Sequence, residues 1–339
     1  MAVRNAFFRA HTRRGAAIIA AALAASASLT GCSGGASGSN DEIAVALITK
    51  TNTNPYFVKM RDGAEQAAKT AGVRLMTAAG AYDGDNAGQV TAVQNMVAAG
   101  VKGIMITPND PKAIAPTLDK ARQQGVVVIA LDTPPNPRSS VDALYATDNV
   151  DAGKLIGAYA KAAEGGKPVK IAMLDLSPGV TVGVDRHTGF LQGFGLPEGD
   201  PRIVCAQDTS GDQTKGQTAM ENCLQKDPGI NLVYAINEPA ALGAFTALKA
   251  VGKDASTMIV AIDGGCTGVK AVQSGQIAAT SQQYPLKMAA QGLDAVVTFA
   301  KTGKKPSGYT DTGVNLITAH AQPGVASKDI QFGLDNCWG

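Results

Sequence analysis

From Glu42 onward, short β-branched runs alternate with longer stretches whose apolar residues recur at helical spacing. Period-two and all-apolar runs predict strands, and a 3.6-residue period predicts helices, so the alternation predicts repeated βαβ units around parallel sheets. Strands are expected over Ile43 to Ile48, Val73 to Met76, Gly103 to Thr107 and Val126 to Leu131. Others are expected over Val169 to Leu174, Leu232 to Ile236, Met258 to Ile262 and Gln276 to Thr280. Between the first two, Pro55 to Ala71 places Phe57, Met60, Ala64, Ala67 and Ala71 on one helix face, a core stripe. Val126 to Leu131 is apolar at every position, as an interior parallel strand covered on both faces must be.

In open α/β sheets, ligands lie beyond the carboxyl ends of the strands. Polar residues follow several predicted strands: Asn54, Asp132, Asn237, Asp263, and the pair Gln282 and Gln283. Any one of them would serve as a helix cap. Their recurrence at successive strand ends is what points to a binding cleft.

Composition narrows the fold further. Hydrophobic residues make up 45 % of the 339 positions, enough for two cores, and aromatics only 5 %, which favours α/β packing over an aromatic-rich β-sandwich. The first 31 residues carry Arg4, Arg9, Arg13 and Arg14 and then the apolar run Gly15 to Leu29, the pattern of an export segment too short for a stable membrane anchor. Leu29-Thr30-Gly31-Cys32 resembles the lipobox of bacterial lipoproteins, which implies lipid attachment at Cys32, followed by a Ser/Gly-rich tether over residues 32–41. Arg13-Arg14 alone is weak support for twin-arginine export. The leading segment holds four of the 30 basic residues and none of the 28 acidic ones, so the remainder carries a formal charge of −2. No basic block with interleaved aromatics is present, so no nucleic-acid partner is expected.

Four more cysteines, Cys205, Cys223, Cys266 and Cys337, allow three pairings or remain free. Cys205, at the end of a predicted strand, suits Cys223 on the next helix, and Cys266 with Cys337 would then pin the end of the chain. No Cys/His spacing suggests a metal site, and no cofactor is expected. His187 and His320 have no evident carboxylate cluster around them. Asp83 and Asp85 in Tyr82-Asp83-Gly84-Asp85-Asn86 read as a turn and a helix cap. The serine-nucleophile elbow, the P-loop and a dinucleotide fingerprint after the first strand are all missing, so enzymatic readings have little support, although Asp132 and Asp263 would suit an acid/base pair on a glycoside.

Seven motifs in order carry a resemblance: Thr53-Asn54-Pro55-Tyr56-Phe57, Ala130-Leu131-Asp132-Thr133, Ala146-Thr147-Asp148-Asn149, Gly211-Asp212-Gln213-Thr214-Lys215-Gly216, Ile236-Asn237-Glu238-Pro239, Ile262-Asp263-Gly264-Gly265 and Ala279-Thr280-Ser281-Gln282-Gln283-Tyr284-Pro285. Over residues 43–339 the chain resembles the ribose- and fructose-type sugar-binding proteins of bacterial ABC importers, and Asn336-Cys337-Trp338-Gly339 is most similar to the fructose branch. The resemblance implies the type I periplasmic binding protein fold: two doubly wound parallel-sheet lobes joined by three crossings. The crossings would lie near Thr147/Asp148, Gln283/Tyr284 and Asp311/Thr312. The first lobe would then comprise residues 42–147 plus 284–311 and the second 148–283 plus 312–339.

By the same resemblance, Asn54, Tyr56, Phe57 and Asp132 of the first lobe, Arg186, Asn237 and Asp263 of the second, and Gln283 at a crossing would bind a monosaccharide. Carboxylates accept from hydroxyls, a guanidinium donates a fork, carboxamides do both, and an aromatic ring covers the C–H face of a sugar. Two positions depart from the ribose-binding pattern: Thr133 replaces an arginine, and Gly211 with Asp212 replaces an aromatic, which favours a hexose or ketohexose. Without the resemblance, Arg186 would read as a surface partner of Asp185 or Asp212. The implied partners are an ABC permease and its ATPase, with the chain a monomer at the cell envelope and held to the membrane only by its lipid. A receptor feeding a membrane sensor is the alternative. A transcription regulator of the same fold would begin with a helix-turn-helix, where this chain carries the export segment.

Overall fold

The computed structural model describes residues 42–339; the export segment, Cys32 and the tether lie outside the described residues. In chain order, β1 (Ala44–Thr49), α1 (Pro55–Ala71), β2 (Arg74–Ala79), α2 (Asn86–Ala98), β3 (Gly103–Ile106), α3 (Ala115–Gln123), β4 (Val127–Leu131) and β5 (Ala143–Ala146) open the chain. Then follow α4 (Asn149–Glu164), β6 (Ile171–Asp175), α5 (Thr181–Phe194), β7 (Ile203–Asp208), α6 (Gln213–Lys226), β8 (Leu232–Ala235), α7 (Glu238–Ala250), β9 (Met258–Asp263), α8 (Cys266–Gln273) and β10 (Ala279–Gln282). The chain closes with α9 (Pro285–Thr302), β11 (Gly308–Asp311), β12 (Asn315–Thr318) and α10 (Ile330–Asn336).

The strands form two six-stranded sheets, ordered β2-β1-β3-β4-β5-β11 and β7-β6-β8-β9-β10-β12. Every pairing in the first sheet is parallel, and in the second only β10 with β12 is antiparallel. The expected fold of two doubly wound lobes is therefore present, with the same strand order in each. The chain passes between the sheets after β5, after β10 and after β11.

Alternation along buried strands builds the first lobe's two faces. Val127, Ile129 and Leu131 join a core with α1 and α9, while Val128 and Ala130 join a core with α2 and α3. The second lobe closes around Phe190, Tyr234 and the β6, β8 and β9 side chains. Cys205 is disulfide-bonded to Cys223, and Cys266 to Cys337. Cys205 lies inside β7 and does not end a strand.

Two strand boundaries differ from the sequence expectation by three residues, the others by one or two at most. β2 runs three residues past Met76. β10 starts at Ala279 and not Gln276, because Gly275 at φ 78° turns the chain, and the strand continues through Ser281 and Gln282. Those polar residues are fully buried and bonded: Ser281 Oγ donates to Ala152 O and Gln282 Nε2 to Gly264 O and Gly333 O, while Gln282 Oε1 has no partner. Among the described residues, no helix is long and apolar enough to cross a membrane.

Helices α4 and α5 pack backbone to backbone through Gly153, Gly157, Gly189 and Gly193; a Cβ on Gly189 would run into the Val150 carbonyl oxygen. This close approach seats α5, and with it Arg186, at the cleft. Gly189→Val is expected to lower stability by about 1–3 kcal/mol or more through overpacking, measured as a reduced urea midpoint.

Candidate functional site

All eight residues nominated above meet in one chamber between the lobes, where Asn54, Tyr56, Phe57 and Asp132 face Arg186, Asn237, Asp263 and Gln283. The chamber has a volume of about 30 Å³, so the lobes stand closed on it. Thr181 Oγ1 donates across the cleft to Pro134 O at 2.8 Å. A wider cleft of about 440 Å³ adjoins the chamber and shares Asn54, Tyr56 and Asp263 with it.

The elements dictate these positions. Asn54 and Asn237 cap α1 and α7, their carboxamide oxygens accepting from Tyr56 N and Ala240 N at 3.0 Å. Asn237 Nδ2 donates to Gly211 O at 3.0 Å. The helix-cap reading therefore holds for both asparagines, and the same residues line the chamber. Asp132 and Asp263 sit at the ends of β4 and β9 with φ of 62° and 147°. Such conformations cost about 1–3 kcal/mol each in a non-glycine residue and concentrate at functional sites.

Arg186 is the centre of charge. It is 5 % exposed, and its Nε donates to Asn149 Oδ1 at 2.8 Å while Nη1 donates to Ile236 O at 3.0 Å. Its Nη1 and Nη2 lie 3.6 Å from Asp263 Oδ1 and 3.8 Å from Asp132 Oδ1, beyond hydrogen-bond reach. The surface pairing with Asp185 or Asp212 is not found. Tyr56 Oη lies 3.2 Å from both Asp132 Oδ1 and Gln283 Oε1, and its one proton serves one acceptor at a time. Gln283 Nε2 donates to Asp263 Oδ1 at 2.8 Å. Asp132, Tyr56, Gln283, Asp263 and Arg186 thus form a closed polar ring that joins both lobes and a crossing. Burial, reinforced by the Asp132 charge, holds the Tyr56 phenol well above its usual range, so it remains a neutral donor.

The two departures from the ribose pattern have structural counterparts. Thr133 Oγ1 donates to Asp132 Oδ2 at 2.7 Å, occupying that oxygen with a neutral hydroxyl. Gly211, at φ 65°, lies under Asn237, whose Nδ2 would stand 2.8 Å from any Cβ there.

Three functional candidates escaped the sequence reading. Lys50 directly follows β1, is 2 % exposed and lines the chamber; inspection of every polar residue after a strand would have found it. Asp83 lines both chamber and cleft, with burial raising its carboxyl, whereas Asp85 alone caps α2 by accepting from Gly88 N. Glu238 is buried, accepting from Gly264 N, Gly265 N and Thr280 Oγ1.

The expectation for His187 is corrected. Its Nδ1 lies 2.9 Å from Asp175 Oδ1 and its Nε2 3.3 Å from Glu198 Oε2, because the fold brings the end of β6 and the loop after α5 to α5. The Asp175 hydrogen bond raises its pKa. Among the described residues, no group of three or more His, Cys, Asp or Glu side chains has the arrangement to hold a metal ion.

A periplasmic binding protein domain matches residues 45–305. The chain belongs to the periplasmic binding protein family. The ribose import binding protein of Bacillus subtilis is 31 % identical over 271 residues, covering 79 % of this chain and 86 % of that one. The D-allose-binding periplasmic protein of Escherichia coli is 28 % identical, covering 76 % and 85 %. Among solved family structures, a galactofuranose-binding protein aligns with a TM-score of 0.77 at 26 % identity, covering 86 % of this chain and 97 % of that one. A periplasmic solute-binding protein from Actinobacillus succinogenes with bound D-allose aligns at 0.73 and 28 % identity, covering 82 % and 98 %.

Burial pushes Asp263 up to about 7, against the pull of Arg186, and pushes Glu238 up to about 8, aided by the Asp263 charge. Acids raised on folding bind more protons in the folded state than in the unfolded one. Stability is then greatest below the unfolded carboxyl values and falls as pH climbs through the folded ones. The ligand-free protein is expected to lose stability between about pH 5 and pH 8, as this interacting pair of acids gives up its protons. Asp263→Asn should flatten that slope in urea titrations across the range.

Proposed function

We propose that this chain is an exported, lipid-anchored solute-binding protein that closes its two lobes on a monosaccharide, a hexose or a ketohexose such as fructose, and presents it to an ABC permease. The observation that carries the reading is the polar ring. A buried guanidinium, two carboxylates, a phenol and a carboxamide converge from both lobes on one chamber, the donor and acceptor set that a polyhydroxylated ring needs. Relatives named for ribose, allose and galactofuranose support a sugar as cargo. Thr133 and Gly211 remove a charged donor and an aromatic wall, which supports a hexose over a pentose. The Leu29 to Cys32 motif supports lipid attachment, and Asn336 to Gly339 supports fructose.

Sugar favours the closed state because only there do both lobes touch it. Shifting a population from mostly open to mostly closed takes on the order of 5 kcal/mol of differential binding. A few charge-assisted hydrogen bonds of about 1.5–3 kcal/mol each supply it. The chamber as it stands has room for only about two water molecules, so entry requires the lobes to part about their crossings.

The test is a thermal-shift panel of the purified protein against fructose, allose, ribose, mannose, galactose, glucose, xylose and polyols. One hexose or ketohexose should raise the melting temperature with concentration. Asp132→Asn and Asp263→Ala should each weaken binding about 30-fold or more, since the first replaces a charged acceptor by a neutral one, the second removes the acceptor outright, and each takes a counter-charge from beside Arg186. No shift with any sugar, or unchanged affinity in Asp263→Ala, overturns the reading.

A further inference from the structure

Trp338 is the single tryptophan of the chain and is 7 % exposed. Its backbone belongs to the second lobe: Trp338 O accepts from Cys266 N at 2.9 Å, Gly265 and Trp338 form a parallel bridge, and the adjacent Cys337 is bonded to Cys266. Its side chain belongs to the first lobe, joining the core cluster of Val45, Leu47 and Met288. The indole meets the Tyr56 ring edge-on, with centroids 5.3 Å apart and planes at 76°. Its Nε1 donates to the backbone oxygen of Gln283 at 2.9 Å.

One residue therefore touches the first lobe, the crossing and the second lobe at once, and its two side-chain partners are members of the polar ring. Tyr56 and Gln283 carry the contacts to Asp132 and Asp263, so a shift of either changes where those carboxylates find their partners. Residues 337 and 338 follow α10 outside any helix or extended strand. They are tied to the start of α8 by the disulfide, the Cys266 amide bond and the bridge to Gly265. Gly265 lies beneath the indole, which would be 3.2 Å from a Cβ there.

Resting on the sugar-binding reading, we propose that Trp338 is a positioning residue for that chamber. It is carried by the Cys266–Cys337 disulfide and holds Tyr56 and Gln283 in the arrangement that accepts cargo. The disulfide thereby acts on affinity as well as on stability, whereas Cys205–Cys223, far from these contacts in the second-lobe core, acts on stability alone.

The experiment titrates the full chain with D-fructose, D-allose and D-ribose separately by calorimetry, records melting of the ligand-free protein, and measures acrylamide quenching of the indole. Trp338→Leu should weaken sugar binding about tenfold or more, the loss expected for one buried hydrogen bond and one aromatic contact. Trp338→Phe, which keeps a ring and loses the N–H, should fall between Trp338→Leu and the parent. The Cys266→Ser/Cys337→Ser protein should bind more weakly, with indole quenching increased about twofold in the absence of sugar. Cys205→Ala/Cys223→Ala should melt earlier with its dissociation constant unchanged. A Trp338→Leu protein that melts earlier but binds within about twofold of the parent overturns the proposal, and so does unchanged quenching in the serine variant. If the parent binds none of the three sugars, the sugar reading fails on its own, and the quenching comparison alone decides whether the disulfide holds Trp338.

Discussion

A buried guanidinium sets the terms for the rest of this molecule. Arg186 is withdrawn from water in the middle of α5, and such a charge is tolerated only where opposite charge and hydrogen-bond acceptors surround it. The partners come from four places in the chain: Asn149 at the start of α4, Ile236 after β8, Asp263 at the end of β9 and Asp132 after β4 of the other lobe. Two of these are hydrogen-bonded and two stand back. The donors are thus partly satisfied by protein and partly directed at space shared with the carboxylates. Glycine contacts between α4 and α5 allow the backbone approach that brings Arg186 and Asn149 within 2.8 Å.

Around that charge, the same backbone devices serve both fold and site. Asn54 and Asn237 end their loops by capping helices, so their side chains are fixed before any ligand arrives. Glu238 bonds the two amides that precede α8, those of Gly264 and Gly265, and so fixes Gly265 in the lining of the cleft. Preorganisation of this kind lowers the ordering cost of binding. The strained φ values of Asp132 and Asp263 are the local expense of aiming two carboxylates at one centre.

Much of the fold is legible as pattern. The helix expected from Pro55 to Ala71 is α1 as it stands, and the all-apolar Val126 to Leu131 is β4 less one residue. What escapes are segments whose polarity conflicts with their burial. β10 runs through Ser281 and Gln282, which read as loop but are buried and bonded. β11, Gly308–Asp311, is exposed throughout and exists as a strand by pairing with β5. In the chamber, Asp132, Asn237 and Asp263 were visible because they follow strong strands. Arg186 was not, since a mid-helix arginine between Asp185 and His187 looks solvated; only the family resemblance selected it. Lys50 and Glu238 were hidden because lysine and glutamate are normally exposed, and their burial is a tertiary fact.

The interleaving of the two sheets has a consequence for how the chain acquires its structure. One face of the first sheet is covered by α9, whose Met288, Leu293 and Val296 fill the core above Val127 and Ile129, yet α9 follows the whole of β6 to β10. A chain emerging amino end first cannot seal that face until most of the second lobe has been made. The apolar strands of the earlier half must wait uncovered meanwhile, and sequence-distant contacts of this kind slow folding. The second lobe waits in turn, since its β12 and α10 follow α9 and β11, so neither lobe is complete until the end of the chain is made, and the uncovered strands are the apolar surface a chaperone would meet.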